Sequence, residues 1–269
     1  MITLTIAIAA GCGAFAAARW PADLGTGWSI FIGVLAFGTV QLTVGLLLQR
    51  KVKREMERVQ AILVGGQKKL QQKMSRWQMR PPGSIQAAQK EIADDTKAFV
   101  AEALAATGAL EKYKLWIPMM ERQIATARLQ LSWMVKDFKT VDKLMPKAIC
   151  IDPVMRCMKM ARMQMLGEPV AEIEKIYKKG VARARYNENT LLAAAMSWIQ
   201  LKRGDTDGAF KTLTEALKKS DDATLKHNHE CLMNNRPAQF TNAGLGDQWY
   251  SLLLEEPKIK HQRQRPVYR

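Results

Sequence analysis

His227, Asn228, His229, Glu230 and Cys231 stand in one run and come nearest, by residue type, to a metal or nucleophile site. On a helix, residues two apart face different directions, whereas Cys231 lies four from His227. At most two ligands then align where a structural zinc needs four. The remaining histidine is His261, so no Ser/His/Asp or Cys/His arrangement can be argued. Cys12, Cys150, Cys157 and Cys231 are scattered, and none forms a C-x-x-C pair, which speaks for a reduced intracellular chain without a disulfide framework. Gly244-Leu245-Gly246 follows no strand and reads as a helix-entry turn rather than a phosphate cradle. The expectation is a chain with no catalytic residues, no metal and no cofactor.

The elements that carry these residues are unevenly distributed. Hydrophobic residues make up 48% of the 269, but the first 48 residues hold only Arg19 and Asp23 as charges. Met1 to Ala18 is apolar and Ala-rich without the basic start of a signal peptide. A lipoprotein reading of Ala9-Ala10-Gly11-Cys12 lacks that start too, and lacks Leu three residues before the cysteine. Trp28 to Leu48 is long enough to cross ~30 Å of hydrocarbon at about 1.5 Å per residue. Residues 1–49 therefore predict a two-helix transmembrane hairpin, with Trp20 and Trp28 at one interface. Ala9, Gly13 and Ala17 recur every four residues, a small-residue face along which the second helix could approach, or simply part of an Ala-rich span.

A formal charge of +16 implies attraction to an anionic partner. Arg50 to Arg80 holds ten Lys/Arg against Glu55 and Glu57, and the tail Lys258 to Arg269 holds five against no carboxylate. Arg50, Lys51, Lys53 and Arg54 directly follow the second span, so the positive-inside rule puts that end in the cytoplasm. In a bacterium this is an inner-membrane protein. Arg50, Lys51, Lys53, Arg54 and Arg58 are the candidate contacts to anionic lipid.

Residues 50–83 read as a basic juxtamembrane helix and a Pro/Gly linker. Val52, Met56, Val59, Leu63, Gly66, Leu70, Lys73 or Met74, and Trp77 follow a 4-3 spacing, a seam for a coiled coil or for packing on another helix. Gly65-Gly66 interrupts it, and both a bent pair of helices and one rod fit. Pro81-Pro82-Gly83 marks a boundary. After it, Ser84 is placed to cap a helix from Ile85 to Thr107 that Gly108 ends, Leu110 to Ile117 forms a short helix, and Pro118 suits the first turn of the next.

Two stretches further on share a pattern. Arg122 to Pro153 can be laid over Glu188 to Asp222 with Asp137 on Asp205, an offset of 68 residues, and Ala148-Ile149 then falls on Ala216-Leu217. Between them, Val154 to Arg185 supplies another helix–turn–helix with Leu166-Gly167-Glu168-Pro169 as its turn. An offset of about twice 34 is twice the tetratricopeptide period. On Lys136-Asp137-Phe138, Ala148, Ile151-Asp152-Pro153, Gly204-Asp205, Ala209, Ala216 and Leu217 the chain resembles the tetratricopeptide repeat (TPR) family. The middle unit departs in spacing, and Ala193, Ser197 and Gln200 replace the family's usual first-helix residues in the third. The resemblance implies an all-α fold: two N-terminal transmembrane helices followed by a short TPR-like α-solenoid over residues 84–257. Ala223 to Asn234 and Gln248 to Glu256 would close it, with Trp249, Leu252 and Leu253 covering the last repeat; residues 258–269 would be a basic disordered tail.

Such domains bind peptides or partner helices along the first helices of their units. Carried over by resemblance, that groove comprises Gln123, Thr126, Gln130 and Trp133, then Cys157 and Gln164, then Ala194, Trp198 and Lys202. Core packing is an equal alternative for the two tryptophans. The functional expectation is a non-enzymatic scaffold or adaptor that recruits or assembles a protein complex at the cytoplasmic face, alone, as a homo-oligomer or in a larger complex. Alternatives are an integral structural subunit of a larger membrane machine and a nucleic-acid- or ribosome-associated basic membrane protein. The latter is disfavoured because few aromatics interleave with the basic stretches.

Overall fold

The structure is a computed structural model that describes residues 2–20, 25–79 and 83–257. The interfacial loop around 21–24, Pro81-Pro82 and the basic tail from Lys258 lie outside the described residues. Every regular element among the described residues is helical, and the chain divides into two compact units, Met1–Ala148 and Ile149–Arg269.

The first unit is organised on two apolar helices, α1 (Ile2–Arg19) and α2 (Thr26–Met79), both long and apolar enough to cross a membrane. They pack along one another at a glycine crossing. A Cβ built on Gly11 would stand 3.0 Å from the Gly33 carbonyl oxygen, and one on Gly33 would stand 3.0 Å from that of Gly11. Phe37 covers Gly11 and Phe15 covers Gly33. The buried face of α1 is thus Thr3, Ala7, Gly11 and Ala18, not Ala9, Gly13 and Ala17, which are exposed. Both stripes have helical spacing; only one sets two glycines opposite each other with a phenylalanine beside each, so backbone approaches backbone without a void.

α2 runs unbroken for 54 residues, about 80 Å at 1.5 Å per residue. The bend entertained at Gly65-Gly66 does not occur. Gly66 serves a close approach instead: a Cβ there would meet the Phe99 ring at 2.4 Å. Phe99 belongs to α3 (Ile85–Ala106), which packs on the polar half of α2. The seam is filled by the chain itself. Val59 joins Phe99, Val100, Ala103 and Leu131 in one buried cluster, with Ile62, Leu63 and Leu70 against it. Leu48, Val52 and Met56 lie against a second cluster of Leu110, Tyr113, Met120 and Ile124. Lys73 of α2 ties the far end by pairing with Glu91 at 2.7 Å and with Asp95.

Ser84 takes the extended backbone of an N-cap, but its side chain makes no capping bond. Gly108 does not end α3. The helix tightens into a 3-10 segment, Thr107–Tyr113, because buried Thr107 bonds the Leu104 carbonyl at 2.6 Å and accepts from Arg128 at 2.9 Å. Pro118 precedes α4 (Met120–Met134) rather than entering it, and Met119, in left-handed backbone at φ 62°, occupies the N-cap. α5 (Phe138–Leu144) follows.

The second unit stacks α6 (Pro153–Met165), α7 (Val170–Val181), α8 (Thr190–Lys202), α9 (Thr206–Leu217) and α10 (Ala223–Met233). α8 touches α6, α7, α9 and α10, and every residue from Leu191 to Gln200 is buried, which explains an apolar run with no polar stripe. Asp152, Asp205 and Asp222 cap α6, α9 and α10 through their side chains.

One turn recurs after α4, α6, α8 and α10. Its left-handed residue is Lys136, Gly167, Gly204 or Asn235, and the next backbone N–H bonds a carbonyl five residues back. The distances are 2.9 Å for Asp137 to Ser132, 3.0 Å for Glu168 to Met163, 2.9 Å for Asp205 to Gln200 and 2.7 Å for Arg236 to Cys231. This is the Schellman closure of a helix C-terminus. The closing segment is less helical than its sequence implies: α11 spans only Asp247–Tyr250, and Trp249 and Leu252 are fully buried, whereas Leu253, in left-handed backbone at φ 58°, is half-buried.

Candidate functional site

The groove residues read from the sequence separate into three states, and each unit is taken by itself. In the first unit, Gln123 and Gln130 are exposed on α4 and Thr126 is half-buried, so the amide row lies on its open face. Trp133 does not join them. It is 3% exposed, and its ring meets Phe138 edge-on at 5.7 Å, which makes it part of the α4–α5 core.

In the second unit, Cys157 and Ala194 are fully buried in the packing of α6 on α8. Burial pushes the Cys157 thiol far above its ordinary range, with the Asp152 carboxylate adding to the effect, so it is no nucleophile at neutral pH. Gln164 accepts from Arg203 at 2.9 Å, which joins the C-terminal ends of α6 and α8. Trp198 is 8% exposed, with the Lys202 ammonium 5.3 Å from the ring centroid.

Trp198 and Ala194 are covered by the chain's own closing segment. The indoles of Trp198 and Trp249 meet at 5.8 Å, and each N–H donates to one oxygen of Glu255 at 2.8 Å. Buried Asn242 donates to the Ala194 carbonyl at 3.1 Å and accepts from Asn228 at 2.7 Å. The segment therefore lies on the α8 face where the resemblance places a ligand. Glu255 and Asn242 carry this arrangement, and the sequence reading missed both; the only signal was a carboxylate at the end of an aromatic stretch.

No family model matches the chain, and no curated protein or solved structure is similar to it. The geometry alone must bear the functional reading.

The histidine run is drawn apart by the helix. His229 stacks on Phe210 at 4.6 Å and bonds the Thr214 hydroxyl at 3.0 Å, whereas His227 lies 3.5 Å from the Cys231 sulfur. Among the described residues no three His, Cys, Asp or Glu converge as a metal would require. A groove of about 600 Å³ runs between α7 and α9, which the sequence reading did not anticipate. On it, Tyr177 is pushed up to about 12 by burial and by the nearby carboxylates of Glu215 and Glu174, so the phenol stays protonated.

The five candidate lipid contacts, Arg50, Lys51, Lys53, Arg54 and Arg58, are all exposed on α2 beyond its apolar half. Lys53 makes an i,i+4 contact to Glu57 at 3.8 Å, which in water holds little energy.

Proposed function

We propose that the chain is a membrane-anchored, TPR-like scaffold whose two-helix hairpin crosses the inner membrane and whose helical units recruit protein partners on the cytoplasmic side. One observation carries this reading: the apolar span and the wall of the first helical unit are the same unbroken helix, α2. A soluble domain tethered only for local concentration needs no more than a flexible linker. Here Val59 is a core residue of the domain and Ile62 and Leu63 pack against that core, so its orientation is set by the membrane helix itself. The four matching turns support a repeated helical-hairpin unit, and the row Gln123, Thr126 and Gln130 supports an amide-lined surface for a partner. The positive residues that follow Leu48 support a cytoplasmic domain.

Co-purification in mild detergent from native membranes tests the reading. A protein retained by the full chain and lost on substitution of Gln123 and Gln130 is the expected result. Recovery of the chain alone under cross-linking, or its digestion by protease added to intact cells, would overturn it.

A further inference from the structure

We propose that the first unit holds a binding site for a single anionic phospholipid, with its phosphodiester between Lys51 and Lys112 and one acyl chain along α2. The site is a cleft of about 510 Å³ lined by Val44, Leu47, Leu48, Lys51, Lys112 and Trp116, with the Tyr113 ring at its back. It rests on the reading of α2 as a membrane span.

The lining is layered as a lipid is. Val44, Leu47, Leu48 and Lys51 stand at i, i+3, i+4 and i+7, one face of α2 that is aliphatic for a turn and then cationic. Across the cleft, the Lys112 ammonium lies 5.0 Å from the Tyr113 ring centroid and 3.4 Å from Glu55, its only carboxylate contact among the described residues. Lys51 has no ion-pair or hydrogen-bond partner among the described residues, and the Trp116 indole N–H has no acceptor among them. Two cations, one carboxylate and one open donor leave a site with surplus positive charge above an apolar floor. A phosphodiester with a hydrocarbon tail satisfies both layers, and a soluble anion only the upper one.

The cleft's position fits a bilayer lipid. The turn containing Trp116 is pinned to the first residues of α1: Ile2 N–H donates to the Leu115 carbonyl at 3.1 Å and the Thr3 hydroxyl to the Trp116 carbonyl at 3.0 Å. The turn thus sits at the start of α1 and beside the end of the apolar half of α2. On it, Leu115 is 68% and Met119 52% exposed, apolar surface that water would hydrate at a cost and a headgroup region would take.

The test is native mass spectrometry of the full chain in mild detergent with equimolar phosphatidylglycerol and phosphatidylcholine. One retained phosphatidylglycerol, preferred roughly tenfold, is expected. The preference should vanish in Lys51→Gln/Lys112→Gln and persist in Lys68→Gln/Arg76→Gln, exposed charges of α2 that do not line the cleft. Leu47→Trp should lose the lipid with both lysines intact, because it fills the acyl slot. Equal retention by wild type and the Lys51/Lys112 variant, or equal loss in both double variants, overturns the site. Alkaline extraction of native membranes separates the two levels: a chain that stays in the membrane but shows no preference sinks the lipid site alone, and a chain released into the supernatant sinks the span as well.

Discussion

The ring of Phe99 occupies the space where a side chain on Gly66 would begin, with its Cγ 2.4 Å and its Cβ 2.8 Å from that point. The neighbouring Gly65 has nothing within 4 Å. Two adjacent glycines therefore have opposite roles. Gly66→Ala should destabilise the first unit by about 1–3 kcal/mol by pushing α3 off α2. Gly65→Ala should stabilise it by about 0.5–1 kcal/mol, since helix interiors favour Ala. Thermal unfolding of both variants in detergent checks the pair; a fall in both would mean that the glycines serve a hinge.

Glu255 accepts from two indoles with its two oxygens. Glu255→Ala should cost about 1–3 kcal/mol through two buried donors left unpaired, and should red-shift tryptophan emission as Trp198 and Trp249 meet water. Trp198→Ala should cost about 3–5 kcal/mol. Denaturant unfolding followed by fluorescence reads both. Unchanged stability in Trp198→Ala would show that this ring belongs to an open groove and not to the core.

The repeated turn makes a further contrast. Lys136 adopts φ 58° where Gly204 adopts φ 84° in the equivalent turn. Lys136→Gly should stabilise by roughly 1 kcal/mol and Gly204→Ala should destabilise by a similar amount, because only glycine enters the left-handed region freely. Equilibrium unfolding of the two variants should move in opposite directions.

Glu111 sits between Lys114 and the Arg128 guanidinium, the latter at 2.8 Å, and the Lys114 bond, with the charges of both, holds its carboxyl below the usual range. Asp137 is likewise lowered by its bonds to the Thr140 hydroxyl and backbone. A carboxylate depressed in the folded state adds stability above its unfolded pKa, and this is lost as pH falls through the folded value. Melting temperature should therefore drop from about pH 4.5 downward. The Glu111→Gln/Asp137→Asn variant should show a shallower drop over the same range, and an identical profile would dismiss these two groups as its source.

Much of this organisation was legible from local pattern. The two apolar runs, the turn at Gly167 and the seam from Val52 to Leu70 all follow from rules that act over one to three helical turns. The sequence by itself determined an all-helical chain with two candidate spans, because apolar length and helical period are properties of neighbouring residues. Only tertiary structure decided which of two small-residue stripes meets α2, that Gly66 accommodates Phe99 rather than a bend, and that Glu255 and Asn242 close over Ala194 and Trp198. Those outcomes depend on what packs opposite a residue across tens of positions in the chain, and no local spacing encodes that.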